Sequence, residues 1–238
     1  RKISLLQLRR CHAHHVNRPF VFINMAMTAD GKIASVDHKV TTFSSRADHA
    51  HLLELRNKAD AIITGAGTLN AQPKITLGPG PKSRKNPPLR VIASGRGKVD
   101  LQHKLFRTKG APTIILTTDR ISRRRLKALK AAADAGEICG VNEIDFLRTF
   151  EFLRAEWGIK RILSEGGGHL NDSLFRAGVV DELNLTVCPL ILGGADAPTI
   201  SDGIGFDRLS DAAQFKLKSQ KLVKDEMFLV YRAVRNSK

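Results

Sequence analysis

The sequence predicts an α/β fold in which a mostly parallel sheet carries helices on both faces and ends in a C-terminal antiparallel strand pair. Three observations carry this reading. Short apolar runs rich in β-formers alternate with segments of helical period through the middle of the chain. The last two runs, parted by Val223-Lys224-Asp225-Glu226, form a hairpin pattern. The composition, 42% hydrophobic and 26% charged over 238 residues, supplies enough apolar surface for one sizeable core.

The elements follow in order. Phe20 to Ala26 is a nearly continuous apolar run, the pattern of a strand buried on both faces. Asp30-Gly31 supplies a turn. Ser44 or Ser45 caps a helix continued by Leu52, Leu53, Leu55, Arg56 and Ala59. Ala61 to Thr64 is a strand running into the small-residue turn Gly65-Ala66-Gly67-Thr68. Residues 78–88 are rich in Pro, Gly and basic side chains and read as an exposed loop. Leu89 to Ala93 and Thr113 to Thr117 are short strands. Helices are expected over Ser122 to Ala135, with Leu126 and Leu129 inward, and over Glu143 to Trp157, with Ile144, Leu147, Phe150 and Leu153 inward. Arg161 to Leu163 is a strand, Leu170 to Ala177 a helix, and Leu183 to Val187, Phe215 to Leu222 and Met227 to Arg232 are the closing strands.

Composition also limits function. No apolar stretch is long enough to span a bilayer, so a membrane protein is not expected. Cys11, Cys139 and Cys188 are widely spaced without a C-x-x-C pair, which argues against a disulfide framework and points to a reducing cytoplasm. The cluster Cys11-His12-Ala13-His14-His15 has no second ligand group at zinc-site spacing, and no metal is expected. Residues 1–18 read as a basic leader and 19–238 as a single domain. The 39 Lys and Arg against 23 Asp and Glu give a net charge of +16, a balance compatible with a nucleic-acid partner, an anionic membrane surface or a site for phosphorylated ligands. With one Trp and one Tyr in the chain, the stacking platforms of single-strand binders are absent, so nucleic acid is disfavoured as the partner.

Open parallel sheets bind ligands beyond the C-terminal ends of their strands. Four such ends carry unusual residues: Asn24 to Lys32, Gly65 to Thr68, Ala93 to Lys98, and Ser164-Glu165-Gly166-Gly167-Gly168-His169. Three glycines between a strand and a helix remove every Cβ, and the helix that follows offers N–H groups and a positive dipole end to an anion such as a diphosphate. The run is neither G-x-G-x-x-G nor a P-loop. Glu165 is polar at the end of an apolar strand, placed to accept hydrogen bonds from a ligand. His49 and His51, at a helix start, read as ordinary surface histidines.

Taken together, Met27 to Ala34 (M-T-A-D-G-K-I-A), Leu55 to Thr68, Ser164 to Asn171 (S-E-G-G-G-H-L-N), Gly178 to Leu183 and Pro189 to Thr199 resemble the reductase family of riboflavin biosynthesis in nearly the whole chain, Pro19 to Arg232. The resemblance implies a dihydrofolate-reductase-like fold, a homodimer, and NADPH-dependent reduction of a ribosylaminopyrimidine 5′-phosphate by hydride transfer to C1 of the sugar. It places Ala26, Thr68, Ser94 and the run Gly167, Gly168, His169, Leu170 and Asn171 to Ser173 at cofactor-contacting positions, and Arg56, Ile75 and Glu165 at substrate-contacting ones. Asn24 joins the substrate set because it shares a strand face with Phe20, Phe22 and Ala26. Arg96 and Lys98 are the cations expected at the 2′-phosphate of NADPH. Asp30 is the one candidate general acid, against a plain turn role for Asp-Gly. The chain departs from the family where Leu69-Asn70-Ala71-Gln72-Pro73 replaces a loop ending in Asp-Asp-Pro, and where Val40 and Gly78 replace a serine and an arginine. Lys74, Lys82, Arg84 and Lys85 lie near enough to replace the missing cation. The alternatives are a reductase of the same fold acting on another carbonyl, imine or pterin, and a binder of nucleic acid or an anionic surface.

Overall fold

A computed structural model describes residues 17–37, 45–78 and 87–234. The expectations for the leader cluster at 11–15 and for Val40, Ser44, Lys82, Arg84 and Lys85 lie outside them. Among the described residues the strands form one sheet in the order β5-β4-β3-β2-β6-β1-β7-β9-β8. These are β1 (Phe20–Thr28), β2 (Ala61–Gly65), β3 (Leu89–Ala93), β4 (Thr113–Thr117), β5 (Ala135–Ile138), β6 (Arg161–Ser164), β7 (Glu182–Cys188), β8 (Phe215–Val223) and β9 (Glu226–Ala233). From β5 to β7 every pairing is parallel, and β9 pairs antiparallel with both β7 and β8. The expected mostly parallel sheet with a C-terminal antiparallel pair is what forms.

Alternation within the strands splits the core into two layers. Phe22, Ile62, Ile92, Ile115 and Leu163 pack toward α1 (Arg46–Asn57), α2 (Ala66–Ala71), α3 (Lys104–Arg107) and α4 (Arg123–Ala132). Val21, Ile23, Ile63, Val91, Ile114 and Ile162 pack toward α5 (Phe146–Trp157) and α6 (Gly168–Arg176). With both faces covered, the parallel strands are apolar at most successive positions, with Asn24, Thr64, Arg90 and Asn184 among the buried polar exceptions. No helix among the described residues is long and apolar enough to cross a membrane.

Several boundaries differ from expectation for local reasons. The Ser122 to Ala135 helix stops at Ala132, because Asp134 exchanges hydrogen bonds with Thr113, N–H to carbonyl at 3.0 Å and Thr113 N–H to carboxylate at 2.8 Å. That turn delivers the short β5 to the open edge of β4, which the alanine-rich sequence does not advertise. Gly65 to Thr68 is a strand end and helix start, since burial of Ala66 and Leu69 turns the expected loop into α2. The single-turn α3 is capped by His103, whose Nδ1 accepts from Leu105 N–H at 3.1 Å. In α5, Asp145 is the N-cap and Phe146 faces the core, while Leu147, expected inside, is 37% exposed. Arg18, the last residue of the expected leader, contacts the domain: its guanidinium grips Asp181 at 2.7 and 2.9 Å, and Asp181 also accepts from Val21 N–H.

Buried Arg90 of β3 donates to the carbonyls of Ala111 at 2.9 Å and of Leu105 and Thr108 at 3.1 Å, tying down the 105–111 connection. Arg90→Met strips those carbonyls of their donor, and urea denaturation should show a loss of about 2–4 kcal/mol of unfolding free energy.

Candidate functional site

The segments singled out in the sequence meet in pairs. The Gly166 carbonyl accepts from Gly65 N–H at 2.9 Å and Thr64 Oγ1 at 3.0 Å, and Gly167 N–H donates to Thr68 Oγ1 at 2.8 Å. The ends of β6 and β2 are thereby locked together. Beyond β1, Ala29 N–H donates to the Leu190 carbonyl, Lys32 Nζ to the Ala197 carbonyl, and Ile33 N–H to the Pro198 carbonyl. The Met27 to Ala34 segment is thus laced to Pro189 to Thr199.

A cleft of about 630 Å³ opens over the C-terminal ends of β2, β3 and β6. Its walls bring together Ser94, Arg96, Lys98, His169 and Leu170, all expected cofactor contacts, with Gly65 and Gly67. No side chain caps α6, so the N–H groups of Gly168 to Leu170 precede the first intrahelical bond, from Asn171 N–H to the Gly167 carbonyl. Uncapped amides, two cations and small residues on facing walls form a donor set suited to the phosphates of a dinucleotide. Residues missed from the sequence also line the cleft, among them Asn142, Glu143 and Arg176. Arg176 spans Glu143 and Asp172, each at 3.0 Å; the Asp172 pair follows i,i+4 helix spacing, whereas nothing in the local pattern signals the Glu143 contact.

The loop bearing Arg96 and Lys98 is braced from two helices. Asn70 of α2 donates to the Lys98 carbonyl at 3.2 Å and accepts from Asp100 N–H at 2.9 Å. Arg125 of α4 donates to the Gly97 carbonyl at 2.8 Å and to that of Val99. Part of the basic Arg123-Arg124-Arg125 run, which has no assignment in the sequence, thereby holds the cationic wall in place.

The expected substrate residues Asn24, Arg56, Ile75 and Glu165 are not among the residues that line this cleft. Arg56 and Glu165 form a two-pronged ion pair at 2.6 and 2.7 Å, with side chains 13% and 7% exposed. Burial opposes the charge on Arg56, but the charge and hydrogen bonds of Glu165 outweigh it and raise the guanidinium's pKa. Each Glu165 oxygen therefore accepts one bond within the protein and keeps further acceptor capacity. Asn24 and Ala26 lie on β1, Asn24 buried and Ala26 half-buried, while Ile75 is a half-buried residue against the α1-side core.

Three of the singled-out residues make contacts within the protein. Asn171 is fully buried, with its amide bonded to Ser164 Oγ at 3.2 Å and the Ile200 carbonyl at 2.9 Å, so its side chain braces the site and does not line it. Asp30 is a loop anchor: it accepts from Thr28 Oγ1 at 2.5 Å, Leu192 N–H at 3.1 Å and Gly193 N–H at 2.6 Å. These bonds lower its pKa to about 2, leaving it ionised in neutral solution and without a proton to give. The anchor is at full strength above the ordinary carboxylate value and weakens only as pH falls through about 2. His51 is half-buried, edge-on to Phe228 at 5.6 Å, and burial pushes its pKa down; His49 is exposed as expected.

The triple glycine serves the protein's own packing as well as any ligand. Gly166 has φ +77°, and a Cβ there would meet Met25 Sδ at 2.7 Å. At Gly167 it would meet Thr68 Oγ1 at 2.8 Å, and at Gly168 the Asp202 carboxylate at 2.3 Å and the Thr199 carbonyl at 2.7 Å. The space near these glycines is thus partly filled by protein. Gly168→Ala should lower the thermal midpoint markedly, at a cost of about 1–3 kcal/mol. Gly67→Ala, with nothing within 4 Å of its Cβ, should be neutral or stabilise α2 by up to about 1 kcal/mol; calorimetry of both variants checks the contrast.

Comparison with known proteins agrees with this arrangement. Residues 19–229 match the family described as the RibD C-terminal domain. The chain is similar to the 2,5-diamino-6-ribosylamino-4(3H)-pyrimidinone 5′-phosphate reductase of Methanothermobacter thermautotrophicus, 32% identical over 215 residues that cover 90% of this chain and 98% of that one. The protein of the same name from Aquifex aeolicus is 31% identical, over 86% and 92%. Among solved structures, a pyrimidine reductase-like protein of Corynebacterium diphtheriae shares the fold with a TM-score of 0.72 at 20% identity, covering 98% of this chain and 100% of that one. RibD of Acinetobacter baumannii does so with a TM-score of 0.72 at 20% identity, over 92% of this chain and 59% of its own. The match spans the sheet, the glycine turn and both sides of the site, and the chain belongs to the RibD C-terminal domain family of riboflavin-biosynthesis reductases.

Proposed function

We propose that this chain uses NADPH to reduce a ribosylaminopyrimidine 5′-phosphate to its ribitylamino product. The observation that carries the reading is the convergence of Ser94, Arg96, Lys98 and the uncapped start of α6 on one cleft beside β1, in a chain whose full-length relatives are named as reductases of such a substrate. NADPH, when bound, would supply the hydride for C1 of the sugar in its ring-opened imine form, with the proton for the imine nitrogen coming from solvent. Everything else is the work of residues. Arg96 and Lys98 bind the 2′-phosphate, and the amides of Gly168 to Leu170 with Ser94 hold the diphosphate. Thr68 fixes the Gly167 amide and hence the direction in which α6 points. Asn70 and Arg125 keep the cationic loop from relaxing into solvent. Arg56, held by Glu165, faces the substrate side, where Ala26 and Asn24 form the floor. The gain in rate comes from alignment of the two ligands and exclusion of water.

The exposed apolar residues Ile191 and Leu209, with the open edge of β8, support a homodimer. The free, buried Cys139 and Cys188 fit a reducing cytoplasm.

The test mixes purified protein, NADPH and the ribosylaminopyrimidine phosphate and follows loss of the nicotinamide absorbance; no turnover and no binding of NADPH would overturn the reading. Replacing Arg96 and Lys98 together by Ala should weaken NADPH by roughly tenfold or more and leave NADH unchanged, as measured by fluorescence quenching. Asp30→Asn should keep the shape of the pH–rate profile through neutral pH and lose less than about tenfold in kcat, where loss of a true general acid costs about 100-fold or more.

A further inference from the structure

We infer that Asp48 and Thr186, with Asn24, form an acceptor surface that binds the N–H edge of the pyrimidine; the inference rests on the reductase reading. Of the four buried side-chain oxygens that lack a hydrogen-bond partner among the described residues, three, Asn24 Oδ1, Asp48 Oδ1 and Thr186 Oγ1, belong to this region, and the fourth, Asn57 Oδ1, lies at the far end of α1. Asn24, Asp48 and Thr186 are 8%, 6% and 0% exposed. Buried polar atoms in folded proteins are nearly always paired, so three orphans gathered in one region point to a partner beyond the described residues, and on the reductase reading that partner is the substrate.

The sheet register gathers them. Ala26 lies directly opposite Thr186, and Asn24 opposite Asn184, in the parallel pairing of β1 with β7. Residues directly opposite share a face, so Asn24, Ala26 and Thr186 point to one side. On the other flank Thr186 lies opposite Phe228 of β9, whose ring packs against His51 of α1. The shared side is therefore the one covered by α1.

The start of α1 is pinned over the same end of β7. Ser45 caps the helix and also bonds Glu226, through Oγ at 2.5 Å and its own N–H at 3.0 Å. Glu226 reaches Cys188 Sγ at 3.7 Å, two residues along β7 from Thr186. Asp48 N–H bonds Ser45 Oγ at 3.3 Å, which seats Asp48 in the first turn above this point. The Cys188 thiol reports the same placement: burial, then the charges of Glu226 and Asp48, push its pKa up to about 12. All of this stands at the C-terminal ends of β1 and β7, next to half-buried Ala26, where a parallel sheet receives its ligand.

The chemistry of the set decides what it takes. A carboxylate and an amide oxygen accept, and the threonine hydroxyl can do so as well. Such a surface matches ring N–H and amino groups and repels a phosphate. The substrate is thus oriented with its pyrimidine toward Asp48 and its phosphate away from it.

The experiment compares wild type with Asp48→Asn, Thr186→Val and Thr186→Ser, measuring KM for the ribosylaminopyrimidine phosphate, Kd for NADPH and the melting temperature of the ligand-free protein. Asp48→Asn should raise KM roughly 10- to 100-fold and Thr186→Val roughly 3- to 10-fold, with NADPH affinity unchanged and Thr186→Ser close to wild type. Melting temperature should hold or rise in Thr186→Val, because an unpaired buried hydroxyl is removed. A hydroxyl with a merely structural role would give the opposite sign. Unchanged KM in both Asp48→Asn and Thr186→Val of an active enzyme, or loss of NADPH affinity and melting temperature together, overturns the inference alone. If Asp48→Asn does not fold, Thr186→Val decides. A wild type that neither turns over nor binds the pyrimidine phosphate overturns the reductase reading and this inference with it.

Discussion

The arrangement of the site depends on how the Gly166–Gly167 turn is held. One carbonyl, that of Gly166, receives both the Gly65 amide and the Thr64 hydroxyl, and the next amide, that of Gly167, is taken by Thr68. These bonds cross from β6 to the end of β2 and the start of α2, so the two strands end at the same level and α6 leaves at a set angle. On one side of the turn lies the cleft with its cations; on the other, the Arg56–Glu165 pair begins one residue before Gly166. A shift in the turn would misplace both halves at once. That is why its glycines are surrounded by protein atoms at Met25, Thr68 and Asp202.

Much of the fold was legible in the sequence because burial on both faces favours a nearly continuous apolar run, and Phe20–Thr28, Leu89–Ala93 and Thr113–Thr117 are such runs apart from Asn24, Arg90 and the terminal threonines. β5 was not, because Ala-Gly-Glu-Ile has little strand preference and is ordered by the neighbouring edge and by Asp134. Leu147 was misassigned because helical period alone cannot set the phase of α5 against the sheet. Of the site, the strand ends and the glycine run were visible since ligand-facing turns need small residues. The contacts of Asn171 were not legible because a polar residue just after such a turn can brace the structure from within as readily as face a ligand. Asp48, Thr186 and the bracing pair Asn70 and Arg125 carry no local signal. Their role depends on which strand lies beside which, and that is a property of topology.

The large positive charge has several destinations. Arg18, Arg56, Arg90 and Arg176 are bound to carboxylates or carbonyls inside the domain, and Arg125 is tied to a loop. Such guanidinium groups act as multidentate braces, a use for which lysine is poorly shaped. Arg96 and Lys98, exposed at the cleft, are the ones placed to meet an anion. Net charge by itself therefore overstates how much of the surface seeks a polyanion.

Helix α1 is anchored at both of its ends, by Ser45 to Glu226 at the start and by Arg56 to Glu165 near the finish. It cannot slide along the sheet without breaking one of these anchors. Asp48 and Arg56 stand eight residues apart on it, a rise of about 12 Å. On the proposed reading the helix works as a ruler laid beside the substrate. A ligand much shorter than that span would leave one of the two marks unmet, so length joins donor pattern as a criterion of selection.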